Sequence, residues 1–522
     1  MIFLVLIYFI IDVGQWREDQ ATNYWLGLNF GISNIPTGLI SSKSIPNPNG
    51  MIILGKLMSY VPGFKQSIIF YSILQLFMLT YFISSLKIKK NRYTYFLYPA
   101  LIFNTYFVFS STELWSQFFS ISLNLFIFGI LINSIENNRE IDIFQILNMT
   151  LLLSSFYLGG FLSSACFVIV LAYLAIKQKL KINFLKFNLF SFLNLCLFLF
   201  LIFLVWIPFF KSIDFSLLII STEEPSIRTN LIDIFETIFY NNYYDPFLIH
   251  SDYEIFSVLL LRIRTLVRLL NFLISLVFSF SFLLVIFINL FSNKKINISY
   301  RPKILLIFTV NYYVLSPLLG GPNFFINERI DMELPFYFTF LIGSLLFVSE
   351  TIDQLMFKKY LLKVFSMCIF IFSITNLIYS TFLYKEYINY DDYLISGSDV
   401  PLKYKLDVVE YLYNDSSSNS LIKDGVIKVF YDLSGNNFEW IDQFGEKYPD
   451  YYLSPYTIGR IMDLLLIKEH NIKNSQEGLQ IRTVENVNYI VTYRFNSKIE
   501  LDAFDIKKAV DINRFRIYRL ND

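Results

Sequence analysis

Long apolar runs alternate with short polar connections through the first 384 residues of this chain. A helix needs roughly 20 apolar residues to cross about 30 Å of hydrocarbon, and by that measure the pattern predicts about eleven spans. They fall at 1–14, 68–86, 94–111, 115–135, 142–158, 160–176, 187–207, 269–292, 304–319, 335–349 and 361–384. The first run has no basic stretch before it and no small-residue cleavage site after it, so it reads as a span rather than a signal peptide. The fifth and sixth are joined only by Leu158-Gly159-Gly160, and both a tight re-entrant pair and two full crossings fit that pattern.

Beyond about residue 385 the pattern changes, because polar residues become frequent and apolar runs shrink to strand length. Strands are predicted at 426–433, 488–493 and 515–520, with helices near 402–413 and 455–468. The fold class is therefore a polytopic α-helical membrane protein, residues 1–384, with a C-terminal α/β domain, residues 385–522.

Lys and Arg in the short connections set the orientation. Lys87, Lys89, Lys90 and Arg92, then Arg139, then Lys177 to Lys186, then Lys294 to Lys303, then Lys358 to Lys363 mark one set of loops as cytoplasmic. Alternation places the large loop 15–67, the turn at Glu113, the loops 208–256 and 320–334 and the C-terminal domain on the other face.

Composition agrees: 55% of residues are hydrophobic, 16% are charged, and the mean hydropathy is +0.50, values foreign to a soluble domain. The 57 Phe and 36 Tyr fit an AT-rich coding sequence as well as an aromatic binding surface. A net charge of +1 gives no electrostatic case for nucleic acid. Cys166, Cys196 and Cys368 all lie in apolar runs and read as small buried residues. With only His250 and His470, a histidine-rich metal site is excluded.

The candidate chemistry sits at membrane borders. Glu18 and Asp19, in Trp16-Arg17-Glu18-Asp19-Gln20, directly follow the first apolar run. Carboxylates there are costly and persist mainly where they are used. An amphipathic stretch from Ala21 to Phe30 is expected to lie in the interface with its aromatic face in lipid. Partial desolvation would then raise a carboxylate toward neutral pH and suit it as a general base. The bland alternative is that the pair simply marks the end of the span.

Glu113 stands in a short turn on the same predicted face, where it either shares that site or caps the following helix. Arg262, Arg264 and Arg268 stand at the external end of a span, against the positive-inside bias, with Arg264 and Arg268 on one helix face. A guanidinium at headgroup depth binds a phosphate bidentately or snorkels to ordinary lipid. Arg329, in Asn327-Glu328-Arg329-Ile330-Asp331, is a further phosphate candidate.

Taken in order, these residues resemble the GT-C superfamily of membrane glycosyltransferases, particularly the protein O-mannosyltransferase and aminoarabinose transferase branch. Members carry an acidic motif in the first external loop, then a Pro-rich element leading into a short helix. Glu18-Asp19 and Ile45-Pro46-Asn47-Pro48-Asn49-Gly50 occupy those places, with the acidic dipeptide in reversed order. The resemblance implies sugar transfer from a polyprenyl-phosphate donor to a glycan, lipid or protein acceptor on the non-cytoplasmic face of the plasma membrane. It implies Asp19, or Glu18, as base, with Glu113 beside it and Arg264, Arg268 and Arg329 on the donor phosphate. Some relatives use a divalent cation, for which this sequence offers no clear ligand set. The main competing reading is a flippase or transporter of lipid-linked sugars, which would call for polar residues within the spans and internal pseudo-symmetry. A polymerase or ligase, and a subunit that works through its tail, are the others.

Overall fold

The computed structural model describes residues 7–8, 10–12, 18–31, 47–86, 102, 107–108, 111–112, 114, 116–156, 159–183, 188–212, 269, 286–287, 298–320, 339, 342–344, 346–348, 350–351, 367, 370–371, 374, 402–432, 460–474, 487–493 and 504–521. Two short helices precede the first long one: α1, Glu18–Asn29, and α2, Gly50–Ser59. The helical part continues with α3, Phe64–Ser85, and α4, Ser116–Glu136. It then comprises α5, Ile143–Ser154, α6, Gly160–Ile176, α7, Leu189–Ser212, and α8, Tyr300–Gly320.

Among the described residues three helices, α3, α4 and α7, are long and apolar enough to cross a membrane. The chain therefore has the helices of a membrane protein. The expected runs at 1–14, 94–111, 269–292, 335–349 and 361–384 lie largely outside the described residues.

Polar side chains join α3 to the segment leading into α4 and to α4 itself, which runs parallel to α3 because later α3 residues meet later α4 residues. Ser72 donates to the Ser111 carbonyl, Ser122 donates to Gln75 Oε1 at 2.8 Å, and Asn133 reaches Tyr81 at 3.4 Å. Such bonds hold helices together where lipid supplies no hydrophobic drive between them. The apolar window of α4 is 67% buried and that of α7 only 22%, so α4 is central and α7 peripheral. On α7, Leu189, Phe190, Leu193 and Phe203 are exposed, as a lipid-facing helix requires.

One end of the bundle is tied by an ion pair, a carboxylate bonded to Ser299 and short strands. Arg301 makes a bidentate contact with Glu136 at 3.0 and 3.1 Å, and Glu350 accepts from the backbone and hydroxyl of Ser299 at 2.8 and 2.6 Å. Strands β1, Ile141–Asp142, and β2, Ile182–Asn183, pair in parallel there. Helices α5 and α6, of 12 and 17 residues, return between that end and the turn at Ser155. At 1.5 Å per residue they reach about 18 and about 26 Å, short of the roughly 30 Å of hydrocarbon. They form a hairpin whose first arm is too short to cross alone.

The C-terminal part consists of α9, Leu402–Ser418, β3, Val426–Ile427, β4, Val429–Asp432, α10, Arg460–His470, β5, Lys473–Asn474, β6, Tyr489–Tyr493, β7, Ile506–Ile512, and β8, Phe515–Leu520. A mixed four-stranded sheet has the order β4-β6-β8-β7, with β4 parallel to β6 and the rest antiparallel. The strand expected over 426–433 is split at Lys428, because β3 leaves to pair with β5. Asn474 bridges the split: its side chain accepts from Val429 N at 3.1 Å and donates to Val429 O at 2.9 Å, as a backbone partner would. Asp415 of α9, 9% exposed, fastens that helix to the sheet through Tyr489 at 2.8 Å and Arg519 at 3.3 Å. One continuous apolar cluster runs from Tyr24 and Phe64 into Ile461 and Leu465 of α10, so the C-terminal part packs directly on the helices before and at the start of α3.

Candidate functional site

Helix α1 opens at Glu18, so Glu18 and Asp19 occupy its first two positions. The first turn of a helix is where the macrodipole favours negative charge.

The rest of α1 departs from the expected interfacial helix, since Ala21 and Tyr24 are fully buried and Leu26 is 9% exposed. Its inner face meets protein. Gly27 makes this contact possible, because a Cβ there would stand 2.3 Å from Lys56 N and 2.6 Å from Ile52 O of α2. Two backbones in near contact need glycine at the crossing. Tyr24 donates to Ser67 Oγ at 2.6 Å, and its ring lies 5.9 Å from that of Phe64. Burial pushes its hydroxyl far above the usual phenol range, only partly offset by the Ser67 bond, so it remains a neutral donor.

The turn joining α2 to α3 is gripped from the C-terminal part. Gly63 takes φ +73° there, a conformation that costs glycine least. Lys468 Nζ donates to the carbonyls of Ser59, at 3.1 Å, and Val61, at the C-terminal end of α2. Glu469 Oε1 accepts from Phe64 N at 2.8 Å, the first residue of α3. Cation to C-terminus and anion to N-terminus is the favourable sense of both helix dipoles. Lys468 also lies over the Tyr24 ring at 5.7 Å. Burial lowers its pKa, while the neighbouring Glu469 acts in the opposite direction. Beside this turn Lys65 pairs with Asp12 and lies 5.5 Å over the ring of Tyr8.

At the other end of α2, Asn49 is 1% exposed and donates through Nδ2 to Leu204 O at 2.8 Å. The cause lies four residues on, at Pro208, which has no N–H for that carbonyl. Around the proline α7 widens into a π-turn over Ile202–Trp206, and Asn49 supplies the missing donor. Next to it Gly50 N donates to Ser155 O at 3.0 Å, which seats the start of α2 on the α5–α6 turn. Phe156 of that turn packs 4.6 Å from Phe119 of α4, and Phe119 lies 5.9 Å from Tyr71 of α3. The start of α2, the start of α4, the α5–α6 turn and the π-turn thus converge.

The expected site residues divide as follows. Glu18 and Asp19 are described in backbone only, while Glu113, Arg262, Arg264, Arg268 and Arg329 lie outside the described residues. The neighbours of Glu113, Thr112 at 1% and Leu114 at 0% exposed, are buried, and Ser111 is held by Ser72 of α3. That level is about 12 Å inside the start of α3. Sequence reasoning passed over Asn49, Lys468, Glu469 and Asp12. A proline inside an apolar run, which orphans the carbonyl four residues earlier, was the available signal for Asn49. Among the described residues no group of three His, Cys, Asp or Glu could hold a metal ion. No family model, curated protein or solved structure matches this chain.

Proposed function

We propose that this chain is a membrane glycosyltransferase that moves a sugar from a polyprenyl-phosphate donor to an acceptor on the non-cytoplasmic face. The observation that carries the reading is the seating of α1: the helix that starts with Glu18 and Asp19 is wedged against α2, with Tyr24 bonded to α3 and covered by Lys468 of α10. A reactive carboxylate needs such a rigid support, because catalysis by position fails when the group wanders by about 1 Å. A short helix, α2, follows the Pro-rich element, which is in keeping with this reading.

In this reading the acceptor hydroxyl attacks the anomeric carbon while its proton passes to the Asp19 carboxylate. The bond from the anomeric carbon to the phosphate oxygen breaks, and polyprenyl phosphate leaves with the electron pair. A single displacement inverts the anomeric centre. Arg264, Arg268 and Arg329 would hold the phosphate, and lipid-exposed helices such as α7 would border the polyprenyl chain.

The test is to incubate purified full-length protein with polyprenyl-phosphate hexose and pentose donors plus extracted envelope acceptors, and to follow the lipids by mass spectrometry. Time-dependent loss of one donor with release of polyprenyl phosphate is expected. Persistence of every donor would overturn the proposal.

A further inference from the structure

The contacts of Lys468 and Glu469 have a consequence for α1. These two neighbours grip both sides of one turn, and Lys468 also covers Tyr24, whose hydroxyl bonds Ser67 of α3. The turn therefore cannot shift without breaking a charged cap on α2, a charged cap on α3, or the seat of Tyr24. Tyr24 lies on the helix that begins with Glu18 and Asp19, and Gly27 locks that helix against α2.

We infer that Lys468 and Glu469 are positioning residues: through the 60–63 turn and Tyr24, the C-terminal part fixes where the acidic end of α1 stands. The C-terminal part then acts as a brace for the first loop, which makes it part of the site without touching substrate. Two further groups near this contact bear on its charge balance. His470 stacks on Tyr413 at 4.1 Å and pairs with Glu410 at 3.2 Å, on the α9 side of α10. Lys65 and Asp12 neutralise each other on the α3 side. Neither pair takes a cap position at the turn, so the two caps rest on Lys468 and Glu469.

The inference rests on the proposed function for its effect on turnover, but its structural arm does not. Full-length Lys468→Met/Glu469→Ala protein is compared with wild type by amide hydrogen exchange. Loss of the two caps is expected to speed exchange in 18–29 and 60–67 about tenfold. Exchange in α4 should be unchanged, which checks that the bundle is intact. Unchanged exchange in 18–29 would overturn the inference.

With a turned-over donor in hand, kcat should fall about tenfold at constant KM and its pH profile should move. Lys468→Arg, which keeps the cation, should recover most of both. A fall in kcat with an unmoved pH profile would mean less active protein rather than a displaced carboxylate, and would also overturn the positioning role. Absence of donor turnover in wild type would overturn the proposed function instead, leaving exchange to decide the brace.

Discussion

Replacing Asn49 by Ala removes a side-chain donor to Leu204 O, in a site where Asn49 is only 1% exposed. A buried acceptor left unpaired costs about 1–3 kcal/mol, and interhelical bonds in membrane bundles average about 0.6 with a maximum near 1.7. We place Asn49→Ala at about 1.5 kcal/mol, near the top of that range, because Pro208 removes the α-helical donor four residues on from that carbonyl. The diagnostic step is the second substitution. Pro208→Ala restores an N–H able to serve Leu204 O, so Asn49→Ala in that background should cost less than about 0.5 kcal/mol. The coupling energy of the cycle is then about 1 kcal/mol, and the packing lost with the Asn49 side chain cancels. Reversible unfolding of full-length protein in mixed detergent micelles, for wild type, both single variants and the double variant, supplies the four numbers. Additive effects, with coupling near zero, would refute the assignment of Asn49 as the partner of the proline-freed carbonyl.

Two other outcomes follow from the same geometry. Burial alone would raise Asp415, but the bonds from Tyr489 and Arg519 and the charges of Arg519 and Lys508 outweigh it and hold the carboxyl below the usual carboxylate range. A folded-state value below the unfolded one means that its contribution is present above the unfolded pKa and is lost as pH falls through the folded value. Asp415→Ala should therefore destabilise β6 and β8 by about 3 kcal/mol at neutral pH, and hydrogen exchange should show the difference from wild type shrinking below the ordinary carboxylate range; a pH-independent difference would contradict this. For orientation, Lys507→Cys and Lys177→Cys, each in a cysteine-free background, place exposed thiols on β7 and at the paired-strand end of the bundle. An impermeant maleimide on intact cells should label 507 and spare 177, and the reverse pattern would invert the proposed orientation.

The long helices α3, α4 and α7 were legible because apolar runs of span length admit few other structures. Strands β6 and β8 stood out through buried Tyr489, Ile490, Val491, Phe515 and Ile517. Strand β7 escaped because it is a sheet edge: Lys507, Lys508 and Ala509 are exposed, so it shows no apolar run, and its lysines protect the edge. Helix α7 runs on to Ser212 past the expected end at 207, carrying Pro208 just after the π-turn over Ile202–Trp206. The aromatic face of α1 was read toward lipid because a Tyr-Trp-Leu run suits an interface. Its true partners, Ser67, Phe64 and Lys468, are distant in sequence. Lys468 and Glu469 carried no signal for the same reason, since a cap supplied from about 400 residues away leaves no local pattern.

The acidic start of α1 bears the chemistry in this account, and turnover by the two conservative variants tests it most directly. Correctly inserted Asp19→Asn and Glu18→Gln proteins would be assayed for loss of the polyprenyl-phosphate donor consumed by wild type. A positioned general base contributes about 10²–10⁴-fold, so Asp19→Asn should lower kcat by that factor with KM for the donor unchanged, and Glu18→Gln by much less. Wild-type rates in both variants would contradict the central claim.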